Sequence, residues 1–167
     1  GKRGGATTLS LGGASAAPGE KSTGFIDVGD NSYRIPVAVI NSASPGRTLG
    51  LLGGTHGTEF ASVEAVIRVI RALDPSEMRG AVLAATVLNR SQFEKRTQYT
   101  SPVDGLNLNG VFPGDASGSL TQRVAHAAFD LHLLDALARL VEEDDDLGAF
   151  PRPHGGLRDL PRASIRG

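Results

Sequence analysis

The sequence predicts an α/β fold: a mixed, largely parallel sheet flanked by helices. Three observations carry that expectation. Thr48–Leu52 is a short apolar stretch closed by Gly53-Gly54, the pattern of a buried strand running into a turn. Phe60–Ile70 repeats apolar residues at Val63, Val66, Ile67 and Ile70, the spacing of an amphipathic helix. Ala81–Leu88 is a continuous apolar run, as in a central strand covered on both faces. Strand, helix and strand in that order make a right-handed crossover between parallel neighbours.

The other elements follow along the chain. Residues 1–20 are rich in Gly, Ala and Ser and read as a loose arm or an edge strand. Thr23–Val28 and Tyr33–Ile40 read as two strands joined by the turn Gly29-Asp30-Asn31-Ser32, a candidate hairpin. Pro36 lacks an N–H and so favours an edge position for the second of them. Asp74-Pro75 ends the helix. Residues 89–119 have no clear periodicity but hold Asn89, Arg90, Arg96, Asp104, Asn107, Asn109 and Pro113, and a polar loop that long points to function. Ser119 and Gln122 have the spacing of a capping box, with a helix running on through Val124, Leu131 and Leu134–Leu137. The run Glu142–Asp146 opposes the dipole of a helix C-terminus and reads as a solvated patch. The expected organisation is an arm at 1–20, one α/β domain at 21–146 and an irregular tail at 147–167.

Composition narrows the function classes. At 167 residues, with 40% hydrophobic and 21% charged, the chain is an ordinary globular domain. A formal net charge of −1 gives no electrostatic case for nucleic acid or an anionic membrane. No apolar stretch approaches the ~20 residues of a membrane span, and no apolar core of signal-peptide length follows the start, so a cytoplasmic location is expected. There are no cysteines, so any metal is held by His, Asp or Glu.

The chemistry concentrates in Gly53-Gly54-Thr55-His56-Gly57-Thr58-Glu59. His56 and Glu59 lie three residues apart where a strand gives way to a helix, the edge at which open α/β sheets place their ligands. An imidazole nitrogen and a carboxylate oxygen are both good zinc donors. The flanking glycines let the backbone turn sharply beside them.

Three stretches together resemble the succinylglutamate desuccinylase/aspartoacylase family, relatives of the zinc carboxypeptidases. They are Ala17–Lys21 with the strand after it, Gly54–Glu59, and Asp104-Gly105-Leu106-Asn107-Leu108-Asn109-Gly110-Val111-Phe112-Pro113-Gly114. The last is similar to a family substrate loop of the form D-G-x-N-L-N-R-x-F-P-G. The resemblance spans roughly residues 10–140 and implies a zinc carboxypeptidase-like fold. It also implies a zinc-dependent hydrolase that cuts amides of small N-acyl amino-acid-like substrates. His56 and Glu59 are then two zinc ligands, Arg90 a catalytic, substrate-gripping arginine, and Asn109 the asparagine of the substrate loop. Arg96 reads as an ordinary exposed arginine.

The chain also departs from the family pattern. Gly110 stands where the loop usually has arginine, the carboxylate-gripping residue. The third ligand, a His in an Asp-Leu-His-Gly-Gly context, has three candidates: His132, His154 and Glu143. The family's catalytic glutamate belongs to a later segment, so the sequence reads as an N-terminal half with an atypical end. Two functions follow as expectations: a zinc-dependent deacylase of small molecules, or an inactive metal-binding remnant.

Overall fold

The computed structural model describes residues 7–29 and 33–130. A hairpin of β1 (Leu9–Leu11) and β2 (Ala14–Ala16) precedes a four-stranded sheet. The sheet comprises β3 (Glu20–Asp27), β4 (Arg34–Asn41), β5 (Thr48–Leu52) and β6 (Ala81–Ala85), in the order β3-β4-β6-β5. Helix α1 (Phe60–Ala72) joins β5 to β6, α2 (Arg90–Lys95) follows β6, and α3 (Leu120–Asp130) closes the described chain.

The sheet is mixed. β5 and β6 run parallel with Gly50 opposite Leu83, as the crossover requires, whereas β3–β4 and β4–β6 are antiparallel. Parallel pairing is thus confined, among the described residues, to β5 and β6. β6 is the central strand expected, with all five residues buried. Its alternate side chains feed two cores. Leu83 and Ala85 join Ile35, Val37 and Val39 of β4 on one face, against the hairpin and α3. Val82 and Ala84 join Ala38 and Ile40 on the other, against Val66 and Ile70 of α1. Lys21 of β3 reaches across to the end of α1, its Nζ donating to the carbonyls of Ile70 at 3.2 Å and Arg71 at 3.4 Å. A cation there suits the negative end of the helix dipole.

Pro36 does not mark an edge, because β4 is flanked by β3 and β6. The proline carbonyl accepts from Thr86 N at 3.1 Å, beyond the last β4–β6 pair, Val37 opposite Ala85. A strand residue directs its N and its C=O to the same side, so the missing N–H falls past the end of that ladder and no bond is lost.

Residues 9–16, within the stretch expected as a loose arm or edge strand, are ordered by burial of Leu11, Ala14 and Ala16 in the larger core. Asn41, fully buried on β4, donates its Nδ2 to the carbonyls of Ala16 at 3.1 Å and Thr7 at 2.9 Å, fastening the hairpin to the sheet. The turn at Asp30–Ser32, the acidic run and the tail lie outside the described residues.

Candidate metal centre

The chain leaves β5 through Gly53 and Gly54 and enters α1 at Phe60, and His56 and Glu59 occupy the turn between. Glu59 is the N-cap of α1, yet its side chain makes no capping bond. Its carboxylate turns back instead: Oε1 lies 2.7 Å from His56 Nδ1 and Oε2 accepts from His56 N at 3.2 Å. Ser62 Oγ donates to Glu59 O at 2.8 Å and accepts from Gly54 N at 3.0 Å, so the turn is braced without the carboxylate. Partial burial pushes the Glu59 carboxyl up, but the donors of His56 pull harder and hold it below its ordinary value.

His56 is buried, and its ring is held from three sides. Nε2 lies 3.2 Å from Asn107 Oδ1, and the ring of Tyr99 meets it edge-on with centroids 5.6 Å apart. Asn107 Oδ1 also accepts from Asn109 N at 3.0 Å, which fixes that atom as oxygen. Nε2 therefore carries a hydrogen toward Asn107, and Nδ1 faces the Glu59 carboxylate. A nitrogen and a carboxylate oxygen 2.7 Å apart share a positive charge between them, a proton or a metal ion. Donors on a tetrahedral zinc stand about 3.3 Å apart, given bond lengths of ~2.0–2.2 Å, so this pair needs only a small opening to share one. The donor chemistry fits zinc as far as two ligands; among the described residues no cluster of three His, Asp or Glu forms.

Buried Gln92 of α2 holds the turn from behind. Its Oε1 accepts from Gly57 N at 3.3 Å and its Nε2 donates to Tyr99 O at 3.3 Å. Gly57 N also donates to Thr97 O at 3.1 Å, and any Cβ at Gly57 would collide with the carbonyls of Gln92 and Thr97. Asn89 caps α2 through Oδ1, with Gln92 N at 3.4 Å.

The other expected site residues are placed differently. Arg90 opens α2, and its Nε donates to Glu94 Oε1 at 2.8 Å, an exposed pair one helical turn apart. Asn109 is exposed and contributes its backbone N–H to Asn107 rather than a side chain to His56. Arg96, the C-cap of α2, is the one non-glycine residue with positive φ among those described, at 55°, and directly precedes Thr97, which holds Gly57. His132, Glu143 and His154 lie outside the described residues. Asn107, Gln92 and Tyr99 were not singled out as site residues from sequence; the N-L-N repeat of the loop signalled Asn107, but nothing marked which asparagine faces His56.

A cleft of about 380 Å³ between the β3–β4 face and α1 is lined by residues including Phe25, Pro36, Ile67, Ile70 and Arg71. None of His56, Glu59 or Asn107 contributes to it.

Comparison with known proteins gives a consistent result. The sequence profile of the succinylglutamate desuccinylase/aspartoacylase catalytic domain matches residues 45–141, more than half of the chain. An N-alpha-acetyl-L-2,4-diaminobutyric acid deacetylase from Halomonas elongata is 36% identical over 91 residues, which cover 54% of this chain and 26% of that protein. An aspartoacylase family protein from Mesorhizobium loti superposes with a TM-score of 0.64 at 30% identity, covering 71% of this chain and 38% of the other. The product-bound ectoine utilization protein EutE from Ruegeria pomeroyi gives 0.61 at 25% identity, covering 81% and 41%. The chain therefore spans about a quarter to two fifths of the length of these relatives.

Proposed function

Because the chain belongs to the succinylglutamate desuccinylase/aspartoacylase family, we propose that it is, or is part of, a zinc-dependent deacylase that hydrolyses the amide of small N-acyl amino-acid-like molecules. The observation that carries this reading is the convergence of His56 Nδ1 and Glu59 Oε1, 2.7 Å apart, in the turn between β5 and α1. His56 and Glu59 would hold the zinc, with His132, His154 or Glu143 as candidates for the third donor. A zinc ion so held supplies a water of pKa near ~7 and polarises a substrate carbonyl.

The chain's own residues do the rest. Asn107 keeps the proton on His56 Nε2 and so keeps Nδ1 free to bind. Arg90 serves as the cation that grips a substrate carbonyl or carboxylate. Its exposed pair with Glu94 is worth only about 0.3–0.5 kcal/mol, so substrate releases it at little cost. Asn109 stands exposed on the same loop as Asn107, where it can meet the substrate directly. The deacetylase from Halomonas elongata makes an N-acetyl amino acid the first substrate to try.

Elemental analysis after dialysis against zinc tests the centre: wild type retains about one zinc per chain, and His56→Ala and Glu59→Gln lose it. Equal zinc in all three would overturn the assignment. Hydrolysis of an N-acetyl amino-acid panel with zinc present tests the reaction. A second reading is a domain that holds metal and turns nothing over; Gly110, which leaves the loop without its arginine, favours it. Zinc binding without turnover would decide for that reading.

A further inference from the structure

Building on the reading of His56 as the core of the site, we propose that Asp104 is a positioning residue. Through Thr121 it fastens the loop 101–110 to the first turn of α3 and thereby fixes Asn107 against His56 Nε2. Asp104 Oδ2 accepts from Thr121 N at 2.8 Å and Oδ1 from Thr121 Oγ1 at 2.7 Å, while Oδ1 also faces Leu106 N at 3.3 Å. The Leu106 contact alone would make a local turn; the two short bonds to a buried threonine 17 residues away go beyond it. The loop is closed on itself by Ser101 N to Leu106 O at 2.8 Å and Gly105 N to Ser101 O at 2.9 Å.

Four residues after Asp104, Leu108 is fully buried in the core that Val124, Ala125 and Ala128 of α3 also form. Asn107 is thus strung between two anchors, a polar one on α3 and an apolar one in the core that α3 shares. Between them, its Oδ1 accepts from Asn109 N at 3.0 Å and lies 3.2 Å from His56 Nε2. Asp115, on the same segment, is the contrast: its carboxylate bonds only its own turn, Ser117 N and Oγ, both at 2.8 Å.

The test uses the full chain, stripped of metal by chelation, and reads two NMR signals: exchange of the Asn109 amide and the ¹⁵N resonance of His56 Nε2. Asp104→Asn and Thr121→Val are expected to speed Asn109 exchange by roughly tenfold or more, as loss of a charge-assisted bond implies, and to move the His56 resonance. Thr121→Ser, which keeps the hydroxyl, and Asp115→Asn are expected to leave both signals as in wild type. If Asp104→Asn and Thr121→Val lower the unfolding midpoint yet leave both signals unchanged, Asp104 only supports the fold and the proposal fails. Equal changes in Asp115→Asn would also overturn it. Thr121→Val removes a single bond and decides the matter if Asp104→Asn does not fold. Neither signal depends on zinc or turnover, so an inactive wild type would count against the deacylase reading and not against this one.

Discussion

His56 has an oxygen acceptor at each ring nitrogen, and only one of the two was legible in sequence. The Glu59 contact follows from spacing: three residues across a glycine-flanked turn return a carboxylate to the imidazole. The Asn107 contact spans 51 residues, and no local pattern can specify it. Asn107→Ala should weaken zinc binding by about 10–100-fold, the usual effect of losing a partner that orients a ligand; competition with a chromogenic chelator measures it, and an unchanged affinity would mean that the Asn107 bond does not orient His56. Gly110 gives a second residue-scale test. A Cβ there meets nothing within 4 Å. Gly110→Arg should therefore be accommodated, and it should tighten binding of an N-acyl acidic amino acid by the ~1.5–3 kcal/mol of a charge-assisted contact. Calorimetric titration decides it, and no gain would place the loop's 110 position away from the substrate.

At the scale of elements, the strand–helix–strand unit was readable because hydrophobic period alone separates α1 from β5 and β6. The segment 89–119 was not, because its order comes from side-chain caps rather than periodicity: Asn89 for α2, Asn107 for the 3₁₀ turn Leu108–Gly110, and Asp104 for the start of α3. The capping box was half visible, since Gln122 Oε1 does accept from Ser119 N at 2.9 Å. Partial burial pushes Asp104 up, but donation from the Thr121 N–H and hydroxyl outweighs it and brings the carboxyl from 3.8 down to about 2. A depressed folded-state value makes this anchor fully effective above the unfolded value. It fades as pH falls from there through about 2. The stability gap between wild type and Asp104→Asn, taken from urea midpoints, should hold steady from pH 7 to about 5 and narrow below 4. A gap that widens on acidification would contradict the assignment.

At the scale of the whole molecule, the class of the fold was legible and the strand order was not. An apolar run tells that β6 is central, but nothing local says that β4, with its proline, lies beside it. The stretch 1–20 left arm and edge strand open for a related reason: Ala, Ser and Gly carry little hydrophobic signal, yet small side chains are what let a hairpin lie close on a sheet. Among the described residues β5 pairs with β6 alone, and Leu49 on it is 41% exposed. That edge has a consequence in the test tube. An apolar, uncharged edge strand left uncovered is a template for a neighbouring chain, and clumping should then set the limit on concentration before unfolding does. Leu49→Lys should raise the protein concentration at which light scattering begins while leaving the melting temperature within a few degrees, since the side chain is already half in water. Unchanged scattering in that variant would mean that the outer side of β5 is already covered in solution.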